Sequence, residues 1–101
     1  MKKTSKYYGY SDYKLKQRKE DRARLSKLVA ELKEASPCVD CNKSYPWYVM
    51  QYDHRQGVIK EDNVSQLVSI ASKKKTLAEI DKCDLVCANC HAVRTYKRNH
   101  P

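Results

Sequence analysis

Four of the five cysteines form two pairs with the same spacing, Cys38 with Cys41 and Cys87 with Cys90. Two residues between the cysteines of a pair let both sulfurs reach one ion across a tight turn, so two pairs can supply four thiolates in a tetrahedral arrangement. The pattern predicts a structural Zn²⁺ site with Zn–S distances of about 2.3 Å. Residues 42–86 separate the pairs. This is more than the roughly 15–20 residues of a simple zinc ribbon, so a folded segment is expected between them.

Disulfides in a secreted protein are the alternative use of these cysteines. Residues 1–25 contain no apolar segment of the signal-peptide type. We therefore expect the cytoplasm, or the host cell's cytoplasm if the protein is viral, where paired cysteines are more often metal ligands. No run of about 18 apolar residues is present, so no membrane span is expected. The fifth cysteine, Cys83, is expected to be a small buried apolar residue, with a metal ligand as its alternative role.

One aspartate and two histidines could carry out chemistry beside that site. Asp53 and His54 are adjacent, and His91 directly follows the last cysteine. A carboxylate and an imidazole from separate elements can bind one divalent ion and leave positions open for water and phosphate. Another histidine can deprotonate water, because histidine changes its charge near neutral pH. Each residue alone is a weak signal, and strict strand alternation would send Asp53 and His54 to opposite faces of a sheet.

The charge of the chain points to the partner. Its 101 residues include 21 Lys or Arg against 12 Asp or Glu, a formal net charge of +9, and residues 1–35 hold eleven of the basic residues against five acidic ones. A surface this basic favours a polyanion, most often nucleic acid, with solubility alone as the alternative. The mean hydropathy of −0.87 indicates a thin apolar core. A zinc site would compensate for that core with about 10–16 kcal/mol of apparent binding energy.

Propensity and periodicity predict the elements that must position these residues. Residues 1–11 are predicted to be a flexible basic tail whose tyrosines, Tyr7, Tyr8 and Tyr10, could stack on bases. Residues 12–35 contain neither Gly nor Pro and are predicted to be a helix that ends at Pro37. An apolar stripe in its second half should pack on the core: Leu25, Leu28, Val29 and Leu32.

The rest of the chain is predicted to alternate strands and short helices. Residues 47–52 form a strand that ends at Asp53 and His54, and Asn63 caps a helix. Residues 76–79 form a capping box that starts another helix after an exposed basic turn at residues 73–75. Residues 84–86 form a second strand, and residues 91–98 a last helix. In that helix two residues are expected to face inward, Val93 and Tyr96, and three outward, Arg94, Lys97 and Arg98.

Three motifs in this order, CVDC, then YDHR, then EIDKCDLVCANCHAVRT, resemble the HNH endonuclease family in its zinc-containing form with two CxxC knuckles. The similarity covers about residues 37–98. It implies a small α+β domain of the ββα-metal type, in which two strands and a helix surround a catalytic ion. We therefore divide the chain into residues 1–36, a basic tail and N-terminal helix, and residues 37–101, a zinc-stabilised nuclease domain with a helical insertion between its strands.

The resemblance also implies roles for individual residues. His54 would be the general base, and Asp53 and His91 would bind a catalytic Mg²⁺, Mn²⁺ or related divalent ion. The family's middle asparagine, which orients the base, has no counterpart at its usual place, which Lys82 occupies. Asn63 and Asn89 are the candidates by type. Asn89 is assigned the catalytic role, with shaping of the knuckle as the alternative. Phosphate contacts are expected from four basic residues, with surface charge as the alternative: Arg55, Arg94, Lys97 and Arg98.

These observations predict a metal-dependent HNH endonuclease that hydrolyses phosphodiester bonds of double-stranded DNA. Its affinity should fall steeply with salt. Low sequence specificity is expected, because no dedicated reader of the major groove is evident. Dimerisation through the N-terminal helix would turn nicks into double-strand breaks. Two alternatives stay open, a non-catalytic zinc module that binds nucleic acid and a zinc module that binds proteins. The settings in which small HNH proteins occur are phages, mobile introns and restriction systems.

Overall fold

The computed structural model describes residues 2–101 of the chain, and the side chains from residue 12 onward. Its elements, in chain order, are α1 (Lys2–Ala35), a short 3-10 turn (Trp47–Val49), β1 (Met50–His54), α2 (Val64–Ser69), α3 (Lys73–Ile80), β2 (Cys83–Cys87) and α4 (Ala88–Asn99). Within the described residues the two strands form a two-stranded antiparallel sheet. The predicted α+β class is therefore confirmed, with the helices packed around this small sheet.

The sheet positions the residues of interest through its register. Asp53 pairs with Asp84 and His54 pairs with Cys83 across the two strands. A buried cluster joins the two strands to the first cysteine pair and consists of Cys38, Met50, Leu85, Val86 and Cys87. The first strand begins later than predicted, because Pro46 starts a 3-10 turn in which the Val49 N–H donates to its carbonyl at 3.0 Å.

The apolar stripe of α1 packs on the domain as predicted. Leu25 and Val29 are buried, and Leu28 and Leu32 are half-buried. The backbone of α1 is helical from Lys2, where a flexible tail was predicted. One glycine in a helix interior costs only about 1 kcal/mol, so a single Gly does not end a helix of strong helix formers. The proposed stacking of Tyr7, Tyr8 and Tyr10 lies outside the side chains that the structure describes.

The two short helices between the strands begin at different signals. Asn63 precedes α2 as its N-cap, as predicted, although its side chain makes no capping hydrogen bond. The prediction of a capping box at residues 76–79 is wrong. Ser72 caps α3 instead, because its Oγ accepts from the Lys75 N–H at 3.4 Å. The three lysines at 73–75 therefore lie in the first turn of α3 and not in a turn before it.

The predicted faces of α4 are wrong for Val93, Tyr96 and Arg94, whereas Lys97 is exposed, as predicted. Val93 and Tyr96, which were predicted to face inward, are 45% and 63% exposed. Arg94 is half-buried, and both Arg94 and Arg98 form an ion pair with an acid of the sheet. Arg94 and Arg98 lie three and seven positions after His91, so all three side chains share one face of the helix.

No helix in the described part of the chain has both the length and the apolar content needed to cross a bilayer.

Candidate metal centre and the adjoining cavity

The four paired cysteines converge on one point. Their Sγ atoms, from Cys38, Cys41, Cys87 and Cys90, all lie within 4.8 Å of one another. Four sulfurs held tetrahedrally at 2.3 Å from an ion are about 3.8 Å apart, so a small contraction would complete such a site. Cys38 and Cys87 are buried and the other two are half-buried. These cysteines could bind a metal such as zinc, in agreement with the prediction from their spacing.

Local hydrogen bonds shape the first knuckle. Asn42 adopts a left-handed conformation with a φ of 60°, which asparagine tolerates better than most residues. Its N–H donates to the Cys38 carbonyl at 2.8 Å and closes the turn. The Val39 N–H donates to the Leu85 carbonyl at 2.9 Å, and the Cys87 N–H donates to the Cys38 sulfur at 3.3 Å. The first knuckle is thereby tied to β2, which carries the second.

The thiols of the cluster differ in acidity. Burial raises the pKa of Cys38, but hydrogen bonds from backbone N–H groups, among them those of Cys41 and Cys87, outweigh burial and lower it to about 6. Burial and hydrogen bonds with the neighbouring thiols raise the pKa of Cys90 to about 12. The backbone thus stabilises one thiolate at Cys38, the form in which sulfur binds a metal.

Asp53 is the centre of a second group of charged side chains. It is only 4% exposed, and its Oδ1 lies 3.5 Å from His91 Nε2. Arg98 donates to both of its oxygens, at 2.9 and 2.8 Å, and Arg94 donates to Oδ2 at 2.8 Å. Burial raises the pKa of Asp53, but these hydrogen bonds from arginine outweigh it and lower the pKa below its ordinary value. The carboxylate is therefore an anion that faces an imidazole and two guanidinium groups.

Arg94 joins three parts of the domain. It donates to both carboxylate oxygens of Asp40 at 2.7 Å, to Asp53, and to Asp84 at 3.1 Å. These acids belong to the first knuckle, β1 and β2. The hydrogen bonds that Arg94 donates to Asp40 and Asp53 raise the pKa of Arg94 above its ordinary value. The guanidinium thus fixes α4 against the sheet, which explains why this residue does not point outward.

The side chain of His54 contacts Glu79, a buried acid for which the sequence predicted only a role in helix capping. His54 Nε2 lies 2.7 Å from Glu79 Oε2, and Glu79 is 2% exposed. Thr76 and Glu79 are both buried and lie three positions apart, on one face of α3. This spacing could have indicated that Glu79 lies on the inner face of α3, where a buried carboxylate requires a hydrogen-bond partner.

Asp53, His54 and His91 all line one cavity of about 710 Å³ among α1, α2, β1 and α4. Its wall also contains Lys33, Lys60, Asn63 and Arg98, as well as the aromatic side chains of Trp47 and Tyr52. Asp53 and His54 both belong to the lining of this cavity, although they are adjacent residues at the end of β1. An acid, two imidazoles and several cations therefore share one concave surface.

The remaining predicted site residues lie elsewhere. Asn89 is exposed in the first turn of α4, outside the lining of the cavity, whereas Asn63 belongs to that lining. The Arg55 guanidinium donates to the backbone carbonyls of Asp81 and Cys83. Lys97 is exposed to solvent. The proposed DNA contacts of these residues, and the catalytic role of Asn89, stay predictions.

Comparisons of the chain with protein-family models, with curated proteins and with solved structures found no match. The fold and the site define a small α+β domain with a two-stranded antiparallel sheet and four cysteines that could bind a metal such as zinc.

Proposed function

We propose that this protein is a metal-dependent endonuclease of the HNH type that hydrolyses DNA. The observation that carries the proposal is the meeting of three residues from two elements. Asp53 and His54 end β1, and β2 leads directly into α4, whose first turn contains His91. The 3.5 Å between Asp53 Oδ1 and His91 Nε2, beside His54 in the same cavity, matches the two-strand and helix arrangement that the resemblance implies.

The donor atoms fit two different ions. The four sulfurs suit structural Zn²⁺. Asp53 and His91 suit a second divalent ion such as Mg²⁺ or Mn²⁺, because neighbouring ligands at about 2.1 Å from an octahedral ion are about 3 Å apart. When bound, that ion would supply positive charge for the phosphate and the leaving oxygen. Arg98, which already donates to Asp53, adds a cation to the same cavity.

In the proposed reaction His54 acts on water. Its imidazole accepts a proton from a water molecule while the water oxygen forms a bond to phosphorus and the bond from phosphorus to the 3′ oxygen breaks. The leaving 3′ oxygen takes a proton from solvent water, and the products are a 5′-phosphate and a 3′-hydroxyl, as in the family that the motifs resemble. The net charge of +9, with Lys33 and Lys60 at the cavity, supports a DNA phosphate as the bound group.

A specific contact also favours a second candidate, a non-catalytic zinc module that binds nucleic acid. Arg94 and Arg98 together make three hydrogen bonds to the buried carboxylate of Asp53. These bonds compensate the charge of Asp53 within the protein, as expected for a purely structural ion pair. In this candidate the basic surface is retained and His54 has no role in chemistry.

Plasmid nicking in the presence of Mg²⁺ or Mn²⁺ separates the two candidates. His54→Ala should lower the cleavage rate by about 10²- to 10⁴-fold, the contribution of a general base. His100→Ala is the matched control, because His100 is exposed and stacks on Tyr96 with ring centres 4.1 Å apart. It should cleave like the wild type. If the wild type binds DNA but cleaves none with either metal, the binding module is the better description.

A further inference from the structure

The carboxylate of Glu79 is held by donors on three sides. Its Oε2 contacts His54 Nε2 at 2.7 Å and accepts from the Glu61 N–H at 3.0 Å. Its Oε1 lies 3.2 Å from Lys82 Nζ, which also donates to the Ile59 carbonyl at 2.8 Å. Glu79 is therefore fixed in position by α3, by the loop after β1 and by the residue before β2. His54 meets a rigid acceptor.

Protonation of the pair follows from the charge of Glu79. Burial raises its pKa, but hydrogen bonds from His54, the Glu61 N–H and Lys82 outweigh burial and lower the pKa to about 2. At neutral pH the carboxylate is ionised and can only accept hydrogen bonds. Nε2 of His54 must therefore carry the hydrogen. In the neutral imidazole the lone pair is then on Nδ1, which makes no hydrogen bond among the described residues.

We infer that Glu79 is a positioning residue that fixes the Nε2–H tautomer of His54 and reserves Nδ1 as the atom that takes the proton from water. The inference rests on the proposed function for its catalytic part. In that part, the water proton moves to Nδ1 and the resulting imidazolium keeps its Nε2–H on Glu79. The negative carboxylate stabilises the positive ring that forms. Glu79 thereby orients the base, which is the role expected of the family's middle asparagine, a residue that has no counterpart at its usual place here.

A purely structural role for Glu79 predicts a different outcome. Its contacts with the Glu61 N–H and Lys82 join α3 to the loop after β1, and their loss would affect folding alone. The tautomer of His54 and the separation of kcat from KM are therefore the decisive measurements. Glu79→Gln preserves the shape of the side chain and removes its charge. Glu61→Gln is the matched control, since it makes the same chemical change at an exposed side chain outside the cavity.

Nitrogen NMR of the zinc-loaded full chain without a second divalent ion tests the tautomer directly. A long-range ¹H–¹⁵N spectrum is recorded with the imidazole ring in its neutral form, with His54→Ala to assign the signal. The wild type should have a protonated Nε2 and an unprotonated Nδ1 at His54. Glu79→Gln should give a mixture of tautomers. A protonated Nδ1 in the wild type overturns the inference, even if Glu79→Gln does not fold.

Cleavage kinetics test the catalytic part. Glu79→Gln should lower kcat by about 10²-fold, with little change in KM for DNA, while Glu61→Gln matches the wild type. Zinc content and far-UV circular dichroism verify that each variant is folded. An active wild type with an equally active, folded Glu79→Gln overturns the inference and leaves the proposed function intact. An inactive wild type overturns the proposed function, and the NMR measurement still decides the tautomer.

Discussion

The carboxylate of Asp53 lies 3.5 Å from the Nε2 atom of His91, although Asp53 belongs to β1 and His91 lies in the first turn of α4. Cys87 and Cys90 lie at the start of that helix. If a metal binds the four cysteines, it fixes the first turn of α4 and, with it, the imidazole. The structural cluster and the candidate catalytic residues are thus coupled through a single turn of helix.

Mutations can distinguish the role of the cysteine cluster from that of His91. Cys87→Ser should lose zinc and unfold the domain, because apparent binding energies of about 10–16 kcal/mol match or exceed the stability of a small domain. His91→Ala should keep both zinc and fold. Cys83→Ser is the control, since its sulfur donates to the Glu79 carbonyl and lies outside the cluster. Metal content and far-UV circular dichroism measure the outcome, and zinc loss from His91→Ala would contradict it.

Arg94→Ala should destabilise the domain by about 3 kcal/mol, because it leaves the buried carboxylate of Asp53 with fewer partners. Urea denaturation should give a lower midpoint with an unchanged slope. Lys97→Ala, an exposed change on the same helix, should alter stability by no more than about 0.5 kcal/mol. Equal midpoints for Arg94→Ala and Lys97→Ala would mean that the bonds of Arg94 to the three acids contribute little.

Acid should remove the stabilisation that Glu79 provides. The folded-state pKa of about 2 lies below the ordinary value of 4.5, so the contribution is complete above pH 4.5 and is lost as the pH falls toward 2. Thiolate ligands also bind protons in acid. The measured quantity is therefore the stability difference between the wild type and Glu79→Gln at each pH. It should shrink between pH 4.5 and 2, and a constant difference would contradict the assignment.

Lys60 should contact a DNA phosphate, since it lines the cavity. Lys60→Ala should weaken binding similarly for all sequences and reduce the slope of log Kobs against log salt by about 0.9. Lys74→Ala is the matched control, because Lys74 is also exposed but lies in α3 and does not line the cavity. Fluorescence anisotropy with a labelled duplex over a salt series gives both slopes, and the inference about Lys60 fails if they are the same.

Several features could be predicted from the sequence because each depends on residues that are close together in the chain. A CxxC pair converges on an ion through one turn, and the stripe that includes Leu25 and Val29 needs only helical periodicity to reach the core. The approximate positions of β1, β2 and α4 along the chain could likewise be predicted from the local propensities of their residues. The convergence of the two cysteine pairs and the α+β class were confirmed on this basis. The activity on DNA stays a proposal.

The sequence by itself determined which four cysteines could bind a metal and where both strands and most of the helices lie, because spacing and periodicity are local properties. Only the tertiary structure decided which face of α4 packs toward the sheet and which acid accepts from His54. Arg94 and Arg98 turn toward Asp53 because a buried carboxylate requires partners, a demand that arises only once β1 and α4 pack together. Glu79 reaches His54 for the same reason, since α3 packs beside the paired ends of the two strands.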